Sequence, residues 1–266
     1  ALVIWELYTE HPVVDLRILK AANFGTGTLL MFMLGVALYS SGVLQPQFVQ
    51  TLLGYTAMLS GLVMSPGGVG TLLFMPIVGQ LVGRFDPRPM IIFGFVMAAI
   101  SMFMMSRWTL NISFWQAASP RIVLGVGLAF LFVPLSTVAF AFLRPEKIGS
   151  ATGLFNLMRN IGGSVGIAAA ETLLAKRAQF HQERLVENVS IYSQSFQQWF
   201  QDTVATLMAA GQSQMAAQAK ATGIAYQTVI RQATLMSFVD AFWLAGVLML
   251  CLAPVALILR RPARHR

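Results

Sequence analysis

Charge is scarce in this 266-residue chain: 11% of its residues are Asp, Glu, Lys or Arg, while 56% are hydrophobic. A soluble globular domain carries roughly 25% charge, so the shortfall speaks against an aqueous enzyme. The same apolar excess, with a mean hydropathy of +0.68, excludes intrinsic disorder, because such a chain has ample surface to bury. Cysteine is nearly absent, and the single Cys251 permits no intramolecular disulfide. The three histidines, His11, His181 and His265, have no metal-ligand spacing, so no zinc or redox centre is expected. Residence in a membrane is the class these absences leave.

The hydrophobic residues fall in blocks at 24–44, 57–82, 90–106, 119–142, 150–175 and 236–259. Each block is near the roughly 20 residues a helix needs to cross a bilayer. Period-two alternation is missing, which argues against a membrane β-barrel. The predicted fold is an all-α membrane protein with six transmembrane helices. Short loops rich in Lys and Arg stay cytoplasmic. Arg17, Lys20, Arg84, Arg88, Arg144, Lys147, Arg260, Arg261, Arg264 and Arg266 fall on one side, against Arg107 alone in the short loops opposite. Both ends of the bundle, the C-terminus included, are therefore expected in the cytoplasm. The net charge of +8 is split among four loops, which fits topology and contact with anionic membrane lipids rather than nucleic acid.

Four regions follow. Residues 1–23 read as the end of a preceding helix and a cytoplasmic linker, since Ala1–Tyr8 is apolar but too short to span or to act as a signal peptide. On this reading the sequence is the C-terminal part of a longer transporter or channel. Residues 24–175 hold the first five spans, and 236–266 the last span with a basic tail. Between them, 176–235 is a polar insertion with eleven Gln and no Pro. Leu185, Val189, Tyr192, Phe196 and Trp199 are spaced 4-3-4-3, which predicts a helical stripe; Gly211 offers a turn, and 212–235 reads as a returning helix. An extramembrane helical hairpin is expected there, either a docking surface for another protein or an amphipathic cap on the bilayer.

Several segments resemble the EmrB-like branch of the major facilitator superfamily, proton-driven multidrug exporters with fourteen membrane helices. The segment from His11 through Pro12 and Asp15 to Arg17 is similar to the linker before their C-terminal six-helix bundle. Pro46-Gln47-Phe48-Val49-Gln50, Leu53-Gly54-Tyr55-Thr56-Ala57, Gly149-Ser150-Ala151-Thr152-Gly153-Leu154-Phe155-Asn156 and Arg159-Asn160-Ile161-Gly162-Gly163-Ser164-Val165-Gly166 follow the family pattern in order. The stretch from Gly79 to Arg88, containing Arg84 and Asp86, lies where the superfamily's gating loop falls, with Gly83 in place of its usual acidic residue. A basic turn initiated by Asp86-Pro87 is the competing reading. Arg121-Ile122-Val123-Leu124-Gly125-Val126-Gly127 is similar to a second superfamily motif, with Leu124 replacing Gln.

The resemblance implies drug/proton antiport in the bacterial inner membrane. It implies lipophilic drug-like molecules and protons as ligands, a missing N-terminal half, and a tripartite assembly with a periplasmic adaptor and an outer-membrane channel. Export of a lipid, siderophore or other amphiphile stays open, as does a non-transporting scaffold that recruits partners through the hairpin. No cofactor is expected, because Ser65-Pro66-Gly67-Gly68 lacks the Gly-Lys-Ser/Thr ending of a phosphate-binding loop. A proton crossing ~150 mV supplies about 3.5 kcal/mol without nucleotide. Nor does any span carry a His/Asp or Ser/His set at catalytic spacing, so an enzyme is not expected.

The ionisable groups in or near spans are Arg121, Arg159, Glu171 and Asp240. An Arg at mid-bilayer costs at least about 2.5–3.5 kcal/mol, so it calls for a partner or a water-filled path. Asn156 and Arg159, three apart, share a helix face, with Asn160 offset by about 100°. They form a polar network for proton coupling or a clamp between helices. Arg121 is either a snorkelling residue or a cation that helps a carboxylate release its proton. Glu171 reaches interfacial water or belongs to the proton-coupling or polar network, and Asp240 interacts with a helix N-terminal dipole or belongs to that network. The main titrating acid is expected in the absent half. Phe32 and Tyr39 offer aromatic walls for substrate, and Gln45, Gln47 and Gln50 offer hydrogen bonds to orient it.

Overall fold

A computed structural model describes residues 23–189 and 193–259, and every regular element among them is helical. The expected opening helix and linker (1–22), the stripe residue Tyr192 and the basic tail (260–266) lie outside the described residues. Seven α-helices run in order among the described residues: α1 (Phe24–Thr51), α2 (Ala57–Arg84), α3 (Pro87–Met105), α4 (Phe114–Phe140), α5 (Ile148–Asn188), α6 (Gln194–Ala209) and α7 (Gln214–Leu252). Short 3₁₀ turns stand at Pro145–Lys147 and Ala253–Ile258.

Local chemistry sets the boundaries. Ser113 caps α4 in a capping box: its hydroxyl accepts from Gln116 N, and Gln116 Oε1 accepts from Ser113 N at 2.8 Å. Thr56 caps α2 by accepting from Leu59 N. Asp86 caps α3, with Pro87 next to it in the first turn, where a missing N–H costs nothing. Pro46, Pro66, Pro76, Pro120 and Pro134 lie inside helices, as membrane helices tolerate when neighbours satisfy the freed carbonyls. Trp108 does this for Pro120, donating its Nε1 to the carbonyl of Gln116, four residues back, at 3.2 Å.

Among the described residues, five helical segments, α1 to α4 and Gln214–Ile258, are long and apolar enough to cross a membrane. The expected span at 150–175 is helical, as part of α5, but falls outside that apolar group. Asn156, Arg159, Asn160 and a run of small residues lower its hydropathy. Gly162, Gly163 and Gly166 instead meet Phe32, Tyr39 and Val36 of α1.

The chain divides into two compact units, one comprising residues through Ala170 and from Phe242 onward, the other Glu171–Ala241. In the first, α4 is central. It packs beside α2, α3 and α1. Glycine allows the closest approaches: a Cβ built on Gly125 of α4 would overlap the Gly67 carbonyl of α2, and one on Gly162 of α5 would overlap the Phe32 carbonyl of α1. Such small-residue contacts supply the backbone proximity that drives association where no hydrophobic effect separates helix from lipid. Two aromatic clusters brace opposite ends of α1. Phe24 lies 6.1 Å from Phe140 and 6.5 Å from Phe155 (ring centroids); Phe48 lies 4.9 Å from Trp108, which lies 5.5 Å from Phe242.

The Glu171–Ala241 unit holds the C-terminal part of α5, all of α6 and the N-terminal part of α7. The predicted returning helix is present, preceded by a turn in which Gly211 takes φ +89°, a value that favours glycine. The outgoing stripe is not one continuous helix. Helix α5 stops at Asn188 and α6 begins at Gln194, with Ser193 as its N-cap, so Leu185 and Trp199 stand on different helices. The three segments enclose a groove of about 630 Å³, walled by Val189, Phe196, Phe200, Ala225, Tyr226 and Val229.

Candidate functional site

Arg121 lies two turns into α4 and is buried, at 6% relative exposure. Its Nε donates to Gln45 Oε1 and its Nη2 to the Ser41 carbonyl at 2.9 Å. Gln45 completes the circuit, donating from Nε2 to the Ala117 carbonyl at 2.9 Å. Snorkelling does not describe this arginine: the guanidinium turns inward and ties α4 to α1. Gln45, expected to line a substrate path, is instead 0% exposed inside this clamp. The physical reason is that α1 continues to Thr51, well past the predicted end of the span, so Gln45 sits among helices rather than at an interface. A cavity of about 140 Å³ borders Arg121, lined also by Gly67, Thr71, Leu124 and Gly125. Thr71 Oγ1 lies 2.9 Å from the Gly125 carbonyl, to which it donates.

A second cluster forms where α5 runs alongside α1. Tyr39 packs over Gly163, and its hydroxyl donates to Asn160 Oδ1 at 3.2 Å. One helical position earlier, the Arg159 guanidinium sits 5.8 Å from the centroid of the Phe132 ring on α4, a cation–π placement. Arg159 Nε is buried and has no hydrogen-bond partner among the described residues. Asn156, one turn back, and Phe32 on α1 are half-buried. Five of the expected site residues, Phe32, Tyr39, Asn156, Arg159 and Asn160, thus belong to the facing stretches of α1 and α5. Counted from Ile148, Arg159 is about 16 Å along its helix.

Other expected site residues stand apart from this cluster. Gln50 is exposed and its Nε2 donates to Ser60 Oγ at 3.3 Å, joining α1 to α2, while Gln47 is half-buried. Of the expected gating-loop residues, Gly79 and Arg84 are exposed but lie within the last two turns of α2 rather than in a loop, and Asp86, in the short connection to α3, accepts from Arg88 N at 3.1 Å as the α3 cap. Glu171 is half-buried within α5, which continues to Asn188 and so gives it no helix end.

Asp240 lies deep within α7, far from any helix N-terminus, which removes the dipole explanation. Its Oδ2 is instead 2.8 Å from His181 Nε2 and 3.5 Å from Arg177 Nε. His181 is the residue that spacing could not find, because its partner is 59 positions away in sequence.

Apolar spanning helices joined by glycine contacts, with arginines held inside, define a multi-pass helical membrane protein. The sequence matches the Major Facilitator Superfamily over residues 4–167. The chain belongs to that superfamily, whose members are transporters rather than enzymes. It is similar to the multidrug export protein EmrB of Escherichia coli strain K12, with 29% identity over 96% of this chain and 48% of the relative. Haemophilus influenzae EmrB is 34% identical over 74% of this chain and 39% of its own length. The fatty acid resistance protein FarB of Neisseria gonorrhoeae is 27% identical over 98% of this chain and 50% of its own length. The chain spans half or less of the length of these relatives.

Proposed function

We propose that this chain is the C-terminal six-helix bundle of a drug/proton antiporter of the bacterial inner membrane, with its C-terminus cytoplasmic. The bundle rocks against an N-terminal half around a site near the bilayer midplane. The observation that carries this reading is the Arg159–Phe132 placement beside Tyr39 and Asn160. It offers a cation with an unsatisfied donor, two aromatic faces and an amide, set deep along a helix. A lipophilic substrate finds flat apolar walls there with a few polar groups to orient it. The same guanidinium, approached by a carboxylate of the other half, favours the ionised acid and so helps it release its proton. Export by the EmrB relatives named above supports the drug class.

The test is transport of a fluorescent lipophilic drug into everted membrane vesicles carrying the full-length protein, with and without a proton gradient. Antiport predicts movement that collapses when the gradient is dissipated, and a tenfold or greater loss in Arg159→Ala. Gradient-independent movement contradicts the reading.

The likeness to FarB favours a second reading, in which the substrate is a fatty-acid-like amphiphile. Competition of drug transport by long-chain fatty acid distinguishes the two. The role of inner-membrane subunit in a tripartite pump rests on the 171–241 unit, whose apolar groove suits an adaptor helix; the outer-membrane channel would then be reached through the adaptor. Deleting 185–230 while following membrane insertion and adaptor binding tests this, and unchanged binding removes it.

A further inference from the structure

In the Glu171–Ala241 unit, the carboxylate of Asp240 on α7 meets two groups from one face of α5. His181 Nε2 lies 2.8 Å from Oδ2, and Arg177, one turn before His181, reaches the same oxygen with Nε at 3.5 Å. The His181 side chain is 17% exposed and that of Asp240 33%, shielded from bulk water but within its reach. The Phe180 ring meets the His181 ring edge-on, with centroids 5.4 Å apart, and the guanidinium carbons of Arg177 and Arg184 are each 5.7 Å from the Phe180 centroid. Arg184 also pairs with Glu187 at 3.8 Å. Among the described residues no other ion pair involves His181 or Asp240.

Of the three groups, only an imidazole ordinarily changes charge between pH 5 and 8; a guanidinium stays protonated throughout. We propose that His181, held against Asp240, is a proton-binding site whose occupancy sets how firmly α5 and α7 are clamped together in this unit. The proton comes from bulk water and adds to the imidazole, raising the charge of the pair from −1 to neutral. Protonation makes both partners charged, so an attraction between opposite charges adds to the 2.8 Å hydrogen bond that a neutral imidazole can also make to the carboxylate. When the proton leaves, Arg177 is the remaining cation on Asp240, at the longer distance and from an exposed position. The clamp therefore closes at acidic pH and loosens as pH rises. The site goes beyond the antiport reading and does not depend on it, since it needs neither substrate nor gradient.

Spin labels at Gln179→Cys and Met236→Cys, both exposed positions, in an otherwise cysteine-free full-length protein in nanodiscs report the α5–α7 distance. Across pH 5.0 to 8.5 the distance distribution is expected to pass through a single-proton transition, narrow below and broad above. His181→Arg, permanently charged, is expected to stay narrow at every pH. His181→Gln, neutral but still able to donate, and Asp240→Asn are each expected to lose the transition. A transition that survives in His181→Gln, or none in the parent protein, overturns the proposal. Loss of gradient-dependent drug transport with the transition intact would instead sink the antiport reading alone.

Discussion

The Tyr39 hydroxyl donates to Asn160 Oδ1 at 3.2 Å, across the contact between α1 and α5, while the Tyr39 ring covers Gly163. A Cβ at 163 would fall within the ring, so the tyrosine sits there only because glycine leaves room. The hydrogen bond is exposed, and a neutral bond of this kind contributes about 0.5–1.5 kcal/mol at most. Tyr39→Phe is therefore expected to leave the protein folded. If Tyr39 lines the substrate path, vesicle transport of a hydrogen-bonding dye should fall several-fold while that of a purely apolar dye is retained.

Glycine positions with and without a close neighbour make a matched test. Gly162→Val drives a branched side chain into the Phe32 carbonyl and should cost about 1–3 kcal/mol or more, lowering the yield of folded protein. Gly61, in the interior of α2, has no atom within 4 Å of an added Cβ. Gly61→Ala should leave stability unchanged or raise it by about 0.5–1 kcal/mol, through the lower entropy of the unfolded chain. Thermal unfolding in detergent reads both.

The Arg121–Gln45 clamp should behave as a unit. Removing either partner leaves a buried polar group unpaired, at about 1–3 kcal/mol. Arg121→Lys is expected to lose part of this stability as well, since one ammonium replaces a fork that serves Gln45 Oε1 and the Ser41 carbonyl together. A double-mutant cycle with Arg121→Met and Gln45→Leu should give a coupling energy of the order of 1 kcal/mol, and additive effects would refute the clamp.

Asp86 separates a structural role from a gating role. Asp86→Ala removes the α3 cap and should cost about 0.5–2 kcal/mol. Asp86→Ser retains a capping oxygen and should restore that stability. Transport that recovers together with stability in Asp86→Ser assigns the residue to the cap; transport that stays low assigns its charge to the gate.

Much of the fold was readable in the blocks of apolar residues, because a membrane helix satisfies its own backbone and so depends on local composition. Helix ends were less readable. Helix α1 outran its apolar block by carrying Gln45, Gln47 and Gln50, whose side chains find partners or partial shelter among other helices. The stripe of residues 185–199 promised one helix, yet α5 ends at Asn188 and Ser193 caps a new helix that begins at Gln194. Of the site residues, Arg159 and Asn160 were legible as polar groups out of place in an apolar helix. His181 was not, since nothing near it in sequence marks it.

What the sequence alone determined was therefore the class: a helical membrane bundle, with its arginines and glycines already in register with a transporter family. Hydropathy and small-residue spacing are local properties, and they survive without knowledge of neighbours. The tertiary structure decided the partners. It turned Arg121 inward onto Gln45, set Tyr39 against Asn160, and moved Asp240 from a helix dipole to His181. Those choices depend on which helices lie side by side and in what register, and a contact between residues tens of positions apart leaves no periodic trace along the chain.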